Sequence, residues 1–404
     1  MLGRKTILSL EQALALPYAT QRFVQLGWRV IRIEIPGNEN DNAGDPNRYI
    51  GAETGYHDLH SYYIAPNIGK EAITINLKST EGKILLQRLI RGLKVDVFMC
   101  NTLPVRYNQL GIDFETLSKV NPSLIWCGIS AFGKDEPDKP GYDPALQALC
   151  GFTYLTGEPD RNPVPCGVPV IDLKAGDEAF IQVILAMLEL EHRDNEFKNG
   201  KEINISMVQC AASWLITALP QLNFVSDESE LFQRSGNEHR SFIPCNIYPT
   251  KDGFVYLAIG NDSQWARFAS YPGFESFSTD KRKTNAGRME EKNLIYSEIG
   301  NLTQGFLTNE FIEICNALGL SASPVNSIKD VAEINHIRKN FIKTILPDSK
   351  PVSLFPPSHN TDFLVNENFN LKLSPRLGEH NFNILQEIGL NSDEIEQLKA
   401  NRVI

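Results

Sequence analysis

The sequence predicts an α/β protein with a large Rossmann-like domain on a parallel sheet and a smaller α+β domain. Its 404 residues, 42% of them hydrophobic, are enough for two cores of ordinary size. In the first half, short apolar runs alternate with segments of helical periodicity, which is typical of strands joined by crossover helices. Further along, a strand–turn–strand pattern appears instead. Parallel sheets of this kind bind ligands at the carboxyl ends of their strands, so we expect a site there.

The predicted elements of the first half follow one another in strand–helix order. The predicted strands are residues 6–9, 29–34, 72–77, 95–99 and 123–130. Helices are predicted at residues 18–26 and 81–90, the second capped by Ser79 or Thr80. The run AFIQVILAMLELEHRD after Asp172 predicts a long helix, and EINISMVQ predicts a strand or the start of a helix. This order predicts a doubly wound sheet.

A polar stretch at residues 226–240 interrupts the apolar rhythm and predicts a domain boundary. After it, CNIYPTKDGFVYLAIG predicts two strands joined by a turn at Lys251-Asp252-Gly253. Residues 342–370 are rich in Pro, Ser and Asn and predict an extended connection, and the last helix after it is expected to be capped by Ser392. The large domain is therefore predicted to comprise residues 1–225 and 340–404, and the small domain residues 226–339.

Composition argues against several classes of function. A formal net charge of −10 disfavours binding to nucleic acid, but a small anionic ligand needs only a few local cations or N–H groups. The seven cysteines are scattered without a CxxC pair, which favours reduced core thiols over a metal or redox site. No signal-peptide pattern and no run of about 18 apolar residues is present, so we expect a cytoplasmic protein with neither export nor membrane insertion.

The stretch from Gly141 to Gly176 is the richest in candidate site residues. A helix-like apolar segment leads into a Gly/Pro-rich turn, then a short apolar run that ends at Asp172, and then the long helix. Asp172 is interpreted either as the N-cap of that helix or as a nucleophile kept ionised by the helix dipole, and the two roles are compatible. Tyr142 and Asp143 are either an aromatic anchor with a turn residue or ligand contacts.

The sequence resembles the family III CoA transferases, also called the CaiB/BaiF family, which includes formyl-CoA transferase and carnitine CoA-transferase. GYDPALQALCGFTYLTGEPD followed by GVPVIDLKAG is similar to the family signature. Four further segments resemble other family motifs in the same order: PYATQRFVQLGWRVIRIEIPG, NIGKEAITINLKSTEGK, NPSLIWCGISAFG and PRLGEHNFNILQEIGL. The resemblance therefore covers nearly the whole chain.

This resemblance implies a catalytic aspartate at Asp172 and a set of CoA contacts. The implied contacts are Ala15, Asn76, Leu77, Lys78, Asn101, Thr102, Leu103, Tyr142 and Asp143, with Arg106 beside a matched position. Lys78 is either a solvated lysine at a helix start or a phosphate contact, which its place after an apolar strand favours. The resemblance also implies acyl-CoA and a small carboxylic acid as substrates, no permanently bound cofactor or metal, and an interlocked homodimer.

The chain departs from the family pattern at several positions. Leu14, Leu16 and Ile35 stand where Gln, Gly and a basic residue are common. We therefore expect the phosphate contacts to be rearranged, with Arg32, Lys70 and Arg106 as candidates. The segment around Gly236 replaces a glycine-rich loop that covers the active site in some members.

Two alternatives to CoA transfer remain at this stage. An α-methylacyl-CoA racemase of the same superfamily exchanges an α-proton with a His and an Asp, but Tyr142 occupies the position of that His, and a phenol with a pKa near 10 is a poor substitute. A catalytically silent CoA-binding protein would keep the fold without transfer. The altered loops permit it, whereas Asp172 and its neighbouring Gly and Pro residues argue against it.

Overall fold

The structure, a computed structural model, describes residues 3–37, 43–192, 199–225 and 232–404. The chain forms two compact units. The first comprises residues 1–150, 167–217 and 335–404, and the second residues 151–166 and 218–334. The domain boundary was expected at residues 226–240, and the first part of that range lies outside the described residues. The main segment of the second unit begins earlier, at residue 218, and residues 151–166 also belong to this unit.

The secondary structure follows the strand–helix alternation expected for the first half. The strands are β1 (Thr6–Leu10), β2 (Arg29–Glu34), β3 (Glu71–Thr74), β4 (Val97–Cys100), β5 (Ile125–Ser130), β6 (Lys201–Ser206), β7 (Cys245–Pro249), β8 (Phe254–Ala258), β9 (Ser321–Pro324), β10 (Ile342–Ile345) and β11 (Pro351–Leu354). The helices are α1 (Ala15–Val24), α2 (Ser61–Asn67), α3 (Thr80–Gly92), α4 (Tyr107–Leu110), α5 (Phe114–Ser118), α6 (Asp143–Leu149), α7 (Phe152–Leu155), α8 (Val170–Glu191), α9 (Met207–Ser213), α10 (Asp262–Ala269), α11 (Asn285–Glu290), α12 (Lys292–Thr303), α13 (Thr308–Ala317), α14 (Ile328–Glu333), α15 (Asn335–Arg338), α16 (Asp362–Asn366), α17 (Asn381–Glu387) and α18 (Ser392–Ala400).

The first unit is built on a six-stranded parallel sheet in the order β3-β2-β1-β4-β5-β6. β1 pairs with β2 on one side and with β4 on the other, so the strand order reverses there. In open α/β sheets the ligand crevice lies at this reversal, beyond the carboxyl ends of the strands. The predicted α/β fold with a parallel sheet is therefore confirmed.

Helices cover both faces of this sheet because its strands are apolar on both sides. Leu8, Ile31, Phe98 and Trp126 are buried on one face in a cluster that includes residues of α3, α17 and α18. Alternate strand residues point to the other face, where α1 and α8 pack against the sheet and against each other. The first unit therefore has a three-layer architecture whose core is shared by residues near the start and near the end of the sequence.

The second unit contains the expected strand–turn–strand pattern. β7, β8 and β9 form an antiparallel sheet, with Cys245 opposite Ala258 and Pro249 opposite Phe254. Residues 151–166 belong to this unit because they bond to residues beyond 231: Gly236 N–H donates to the Gly157 carbonyl at 3.0 Å, and Arg234 donates to the Tyr154 carbonyl at 3.1 Å. This contact, distant in sequence, accounts for the assignment of residues 151–166 to the second unit.

Two local expectations near the end of the sequence were wrong. Residues 342–370 are not a simple extended connection, because β10 and β11 pair as an antiparallel hairpin and α16 follows. The cap of α18 is Asn391 rather than Ser392: its side chain accepts from Glu394 N–H, and the Glu394 carboxylate returns a bond to Asn391 N–H. Within the described ranges, the structure contains no helix of the length and apolarity needed to cross a membrane.

Candidate active site

A cleft of about 1280 Å³ lies beyond the carboxyl ends of β1 to β4. Its walls include Gln12 after β1, Ile35 after β2, Lys78 after β3 and Thr102 after β4. These segments meet because parallel strands all end at the same edge of their sheet. The cleft is therefore located where the fold class predicts a ligand site.

Six of the predicted contact residues line this cleft, and five other predicted site residues do not. The six are Asn76, Leu77, Lys78, Asn101, Thr102 and Arg106. The residues that do not line it are Ala15, Leu103, Tyr142, Asp143 and Asp172. Tyr142 is 77% exposed, and Leu103 precedes a short turn of 3-10 helix. The candidate residues thus form a cleft group and a group around α8.

The loop between β1 and α1 is held firmly at the mouth of the cleft. The Asn101 side chain accepts from Gln12 N–H at 3.1 Å and donates to the Gln12 carbonyl at 2.7 Å. On the other side, Asp45 accepts from Ala13 N–H and Asn47 donates to the Ala13 carbonyl. These contacts hold Ala13 at a φ of 60°, a left-handed conformation that costs an alanine about 1 kcal/mol or more.

A buried ion network lies beneath the cleft and engages two of the residues that were candidates for phosphate binding. Lys70 donates to Glu11 at 2.7 Å, and Arg32 lies 3.0 Å from an Asp45 oxygen and 3.3 Å from a Glu34 oxygen. All five side chains are almost completely buried. Burial lowers the pKa of Lys70 to about 8, although the Glu11 carboxylate opposes this change. Arg32 and Lys70 therefore hold the strands together and are not available to a ligand.

Two cations that the sequence motifs did not indicate also line the cleft. Lys399 lies in the last turn of α18, and Arg402 follows that helix. Together with Lys78 and Arg106 they give the cleft four exposed basic side chains. The only sequence signal for them was the basic character of the stretch KANR, and nothing local connects that stretch with β3.

Asp172 lies in the first turn of α8, and its neighbour Asp143 fixes the start of that helix. The Asp143 carboxylate accepts from the N–H groups of Ile171 at 2.7 Å and Asp172 at 3.0 Å. Gln147 donates to its second oxygen. Pro169 occupies the N-cap position and makes no side-chain cap. The N-cap interpretation of Asp172 was therefore wrong, because Asp143 performs the capping from another helix.

The carboxyl group of Asp172 is hard to ionise in this position. Burial raises its pKa, and the nearby Asp143 carboxylate raises it further, to about 7. The helix N-terminus opposes this effect only weakly, because Asp143 already accepts the N–H groups there. Perturbed carboxyl groups of this kind are common at functional sites.

Gly176 connects the two groups of candidate residues. A Cβ at this position would lie 2.7 Å from the Ala15 carbonyl oxygen and 2.7 Å from Tyr18 Cδ1, so only glycine permits this approach of α1 to α8. Arg22 and Asp177 form an ion pair along the same contact. Ala15 is three residues after Gln12, a distance of at most about 11 Å, and Gly176 is one helical turn after Asp172. The cleft and Asp172 are therefore neighbouring parts of one unit.

The described residues contain no group of three or more His, Cys, Asp or Glu side chains arranged to hold a metal ion.

Comparisons with known proteins agree with this geometry. A family model described as CoA-transferase family III matches residues 2–381. Succinate--glutarate CoA-transferase from Agrobacterium fabrum is 29% identical over 95% of this chain and 94% of its own length, and succinyl-CoA:glutarate CoA-transferase from Mus musculus is 27% identical over 98% and 89%. A CaiB/BaiF family protein from Brucella suis has a solved structure that superposes with a TM-score of 0.79 at 27% identity, covering 95% of this chain and 98% of that one.

Proposed function

The chain belongs to CoA-transferase family III, and from this premise we propose that it moves CoA from an acyl-CoA donor to a carboxylic acid through an aspartyl-CoA intermediate on Asp172. CoA transfer itself follows from the family and from relatives that are named CoA-transferases. The intermediates and the roles of individual residues are the proposed part.

The observation that carries this proposal is the position of Asp172. Its carboxyl group is largely buried at the start of α8 beside Asp143. One helical turn further along α8, Gly176 lies against Ala15, which follows the β1–α1 loop that lines a large cleft with four basic side chains. The long pantetheine arm of CoA separates its phosphates from its thioester. An acyl-CoA can therefore bind with its phosphates in the cleft and its thioester at Asp172.

In the proposed reaction, ionised Asp172 attacks the thioester carbonyl carbon of the donor. The C–S bond breaks, which leaves a mixed anhydride and CoA thiolate. The thiolate then attacks the Asp172 carbonyl carbon, the anhydride C–O bond breaks, and the donor acid leaves as a carboxylate. An acceptor carboxylate repeats these steps in reverse. No net proton is consumed, and the thioester needs no metal for activation because it is already reactive.

We assign the predicted contact residues two tasks within this site. Lys78 and Arg106, which line the cleft beside Asn76, Leu77 and Thr102, are proposed to bind phosphates. We assign Asn101 and Asp143 as positioning residues, since the Asn101 side chain bonds to the N–H and the carbonyl of Gln12, and the Asp143 carboxylate accepts two backbone N–H groups. Direct contacts of CoA with Ala15, Leu103, Tyr142 and Asp143 stay predictions.

The donor and acceptor are proposed to be succinyl-CoA and a second dicarboxylate. This proposal rests on the relatives, whose names include glutarate, D-citramalate, L-malate and oxalate as substrates. A coupled assay with succinyl-CoA and a panel of acids, containing monocarboxylates of matched length as controls, tests it. Transfer to monocarboxylates alone would contradict the choice of dicarboxylates while leaving CoA transfer intact.

Intact-protein mass spectrometry tests the intermediate directly. After incubation with succinyl-CoA, the native protein should gain the mass of CoA less water, and hydroxylamine should remove the adduct. Asp172→Ala should form no adduct but still bind CoA. A racemase would exchange the α-proton of a 2-methylacyl-CoA without any adduct, and a silent binding protein would bind CoA with neither reaction. An adduct that persists in Asp172→Ala would overturn the assignment of the nucleophile.

A further inference from the structure

The cleft contains a cationic pair that the family resemblance did not assign. Lys399 and Arg402 line it beside Lys78 and Arg106. Among the described residues, none of these four side chains is in an ion pair, and the carboxylates beneath the cleft are paired with buried cations. Within the part of the chain that the structure describes, the cleft therefore presents four positive charges without an ion-pair partner.

The segment that carries Arg402 is docked against the end of β3. Asn76 N–H donates to the Val403 carbonyl at 2.8 Å, and the Val403 side chain is buried in the main core cluster. Asn401 donates to Glu81 at 3.4 Å. Arg402 is thus fixed between two anchored residues and next to the segment that carries Lys78.

The backbone at Arg402 is one that usually belongs to glycine. Val403 N–H donates to the Leu398 carbonyl at 2.8 Å and Arg402 N–H to the Lys399 carbonyl at 2.9 Å, which is the Schellman ending of a helix. This ending places Arg402 at a φ of 55°. Gly27 and Gly389 occupy the same position after α1 and α17, at φ values of 78° and 87°. An arginine in this left-handed conformation makes the protein less stable than a glycine would. The presence of arginine here is therefore better explained by what its guanidinium group does in the cleft.

We propose that Lys399 and Arg402 bind a phosphate group of CoA. This inference rests on the proposed function. The end of β2 offers no accessible positive charge, since Ile35 lines the cleft with 60% of its surface exposed and Arg32 behind it is buried. A guanidinium forms two parallel hydrogen bonds to a phosphate, and an adjacent ammonium adds a point charge.

The variants Arg402→Gly and Lys399→Gln test this inference, with Lys94→Gly as a matched control. Lys94 ends α3 in the same hydrogen-bonded motif, at a φ of 51°, but it precedes β4 at the opposite edge of the sheet. Both glycine variants should raise the thermal unfolding midpoint by about 2 °C, since each relieves a left-handed backbone. Only Arg402→Gly and Lys399→Gln should weaken CoA binding, by roughly fivefold to fiftyfold in isothermal titration.

Titration with 3′-dephospho-CoA identifies the phosphate. If the pair binds the 3′-phosphate, the native protein prefers CoA and the two variants lose this preference; if it binds the pyrophosphate, both ligands weaken equally. If Arg402→Gly and Lys399→Gln bind both ligands with the same affinity as Lys94→Gly, the inference is overturned and the proposed function stands. Failure of the native protein to bind CoA would overturn the proposed function itself. The mass-spectrometric adduct further distinguishes a failure of this inference from a failure of the proposed function. Arg402→Gly should still form the adduct at higher succinyl-CoA concentrations, whereas Asp172→Ala should not.

Discussion

Asp172 is disfavoured as a carboxylate, although the proposed reaction needs it ionised. Because its pKa is raised to about 7, the fraction of reactive protein should grow with pH and level off above that value. We expect kcat/KM for adduct formation to fall about tenfold per pH unit on the acid side of pH 7. Rapid quenching between pH 5.5 and 9 measures this profile. A flat profile from pH 5.5 to 8 would contradict it.

The Asp143 charge contributes to this titration, and its removal has a predictable direction. Asp143→Asn eliminates the carboxylate that repels ionised Asp172, so the midpoint of the pH profile should move to lower pH. The amide oxygen can still accept one N–H from the start of α8. Asp138→Asn, an exposed change in a nearby loop, serves as the control for general charge effects and should leave the midpoint in place. A shift to higher pH in Asp143→Asn would contradict the proposed repulsion.

The same raised pKa predicts a stability cost at Asp172. Folding favours the neutral form of the Asp172 carboxyl group. Its contribution to the free energy of unfolding is therefore fully present below the ordinary pKa of 3.8 and is lost as the pH rises to about 7. The variant Asp172→Asn should not lose stability in this way, because an amide does not ionise. At pH 8 the variant should be more stable than the native protein by roughly 2 to 4 kcal/mol. Urea denaturation at pH 8 and pH 4 measures this difference, which should be much smaller at pH 4. Equal stability at both pH values would count against it.

The sequence singled out Asp172 as the candidate nucleophile, a role that stays a prediction, but it did not reveal the contact with Asp143. Its place before a long helix and within the family motif identified it from sequence. The interpretation of Asp172 as the N-cap of α8 was wrong because Asp143, 29 positions earlier, caps this helix. Local sequence propensity cannot predict a contact over that distance. The burial of Arg32 and Lys70 was equally hidden, since it depends on three carboxylates from separate segments.

At the scale of elements, the contact of α1 with α8 determines where the β1–α1 loop lies relative to Asp172. Gly176→Ala would place a methyl group 2.7 Å from the Ala15 backbone oxygen, so one helix has to move. We expect a loss of about 1 to 3 kcal/mol and weaker CoA binding, because Ala15 and Gln12 move together. Gly300→Ala in α12 is the matched control. Its nearest neighbour is 4.0 Å away, so the change should stabilise the protein by up to about 1 kcal/mol. Urea denaturation and CoA titration of both variants test the pair.

The strands of the first unit were predicted well because their apolar runs are long and bounded by turn residues. The 29–34 strand matches β2, and the strand before the family signature matches β5 within two residues. The β10–β11 hairpin was missed because its Pro- and Ser-rich composition resembles that of a linker. Its pairing instead depends on a turn in which Leu346 N–H donates to the Lys350 carbonyl.

At the scale of the whole molecule, the first unit depends on contacts between residues far apart in sequence. Ile384, Leu385, Ile395 and Val403 share one core cluster with Leu8 and its neighbours. The C-terminal motif predicted that this region returns to the large domain, but it did not place Lys399 and Arg402 in the cleft. That placement requires the bond from Asn76 to Val403, which no periodicity reveals.

The family resemblance also predicts an interlocked homodimer. Phe224 and Leu219 expose large apolar surfaces in the second unit, which is the kind of surface that subunit contacts cover. Native mass spectrometry and light scattering should give twice the mass of the chain. If the subunits are interlocked, separation requires unfolding, so dilution to nanomolar concentration should leave the dimer intact for hours. Mixing experiments with a mass-tagged copy should then show heterodimers only after denaturation and refolding. Rapid exchange of intact subunits would contradict interlocking, and a monomeric mass at micromolar concentration would contradict the homodimer.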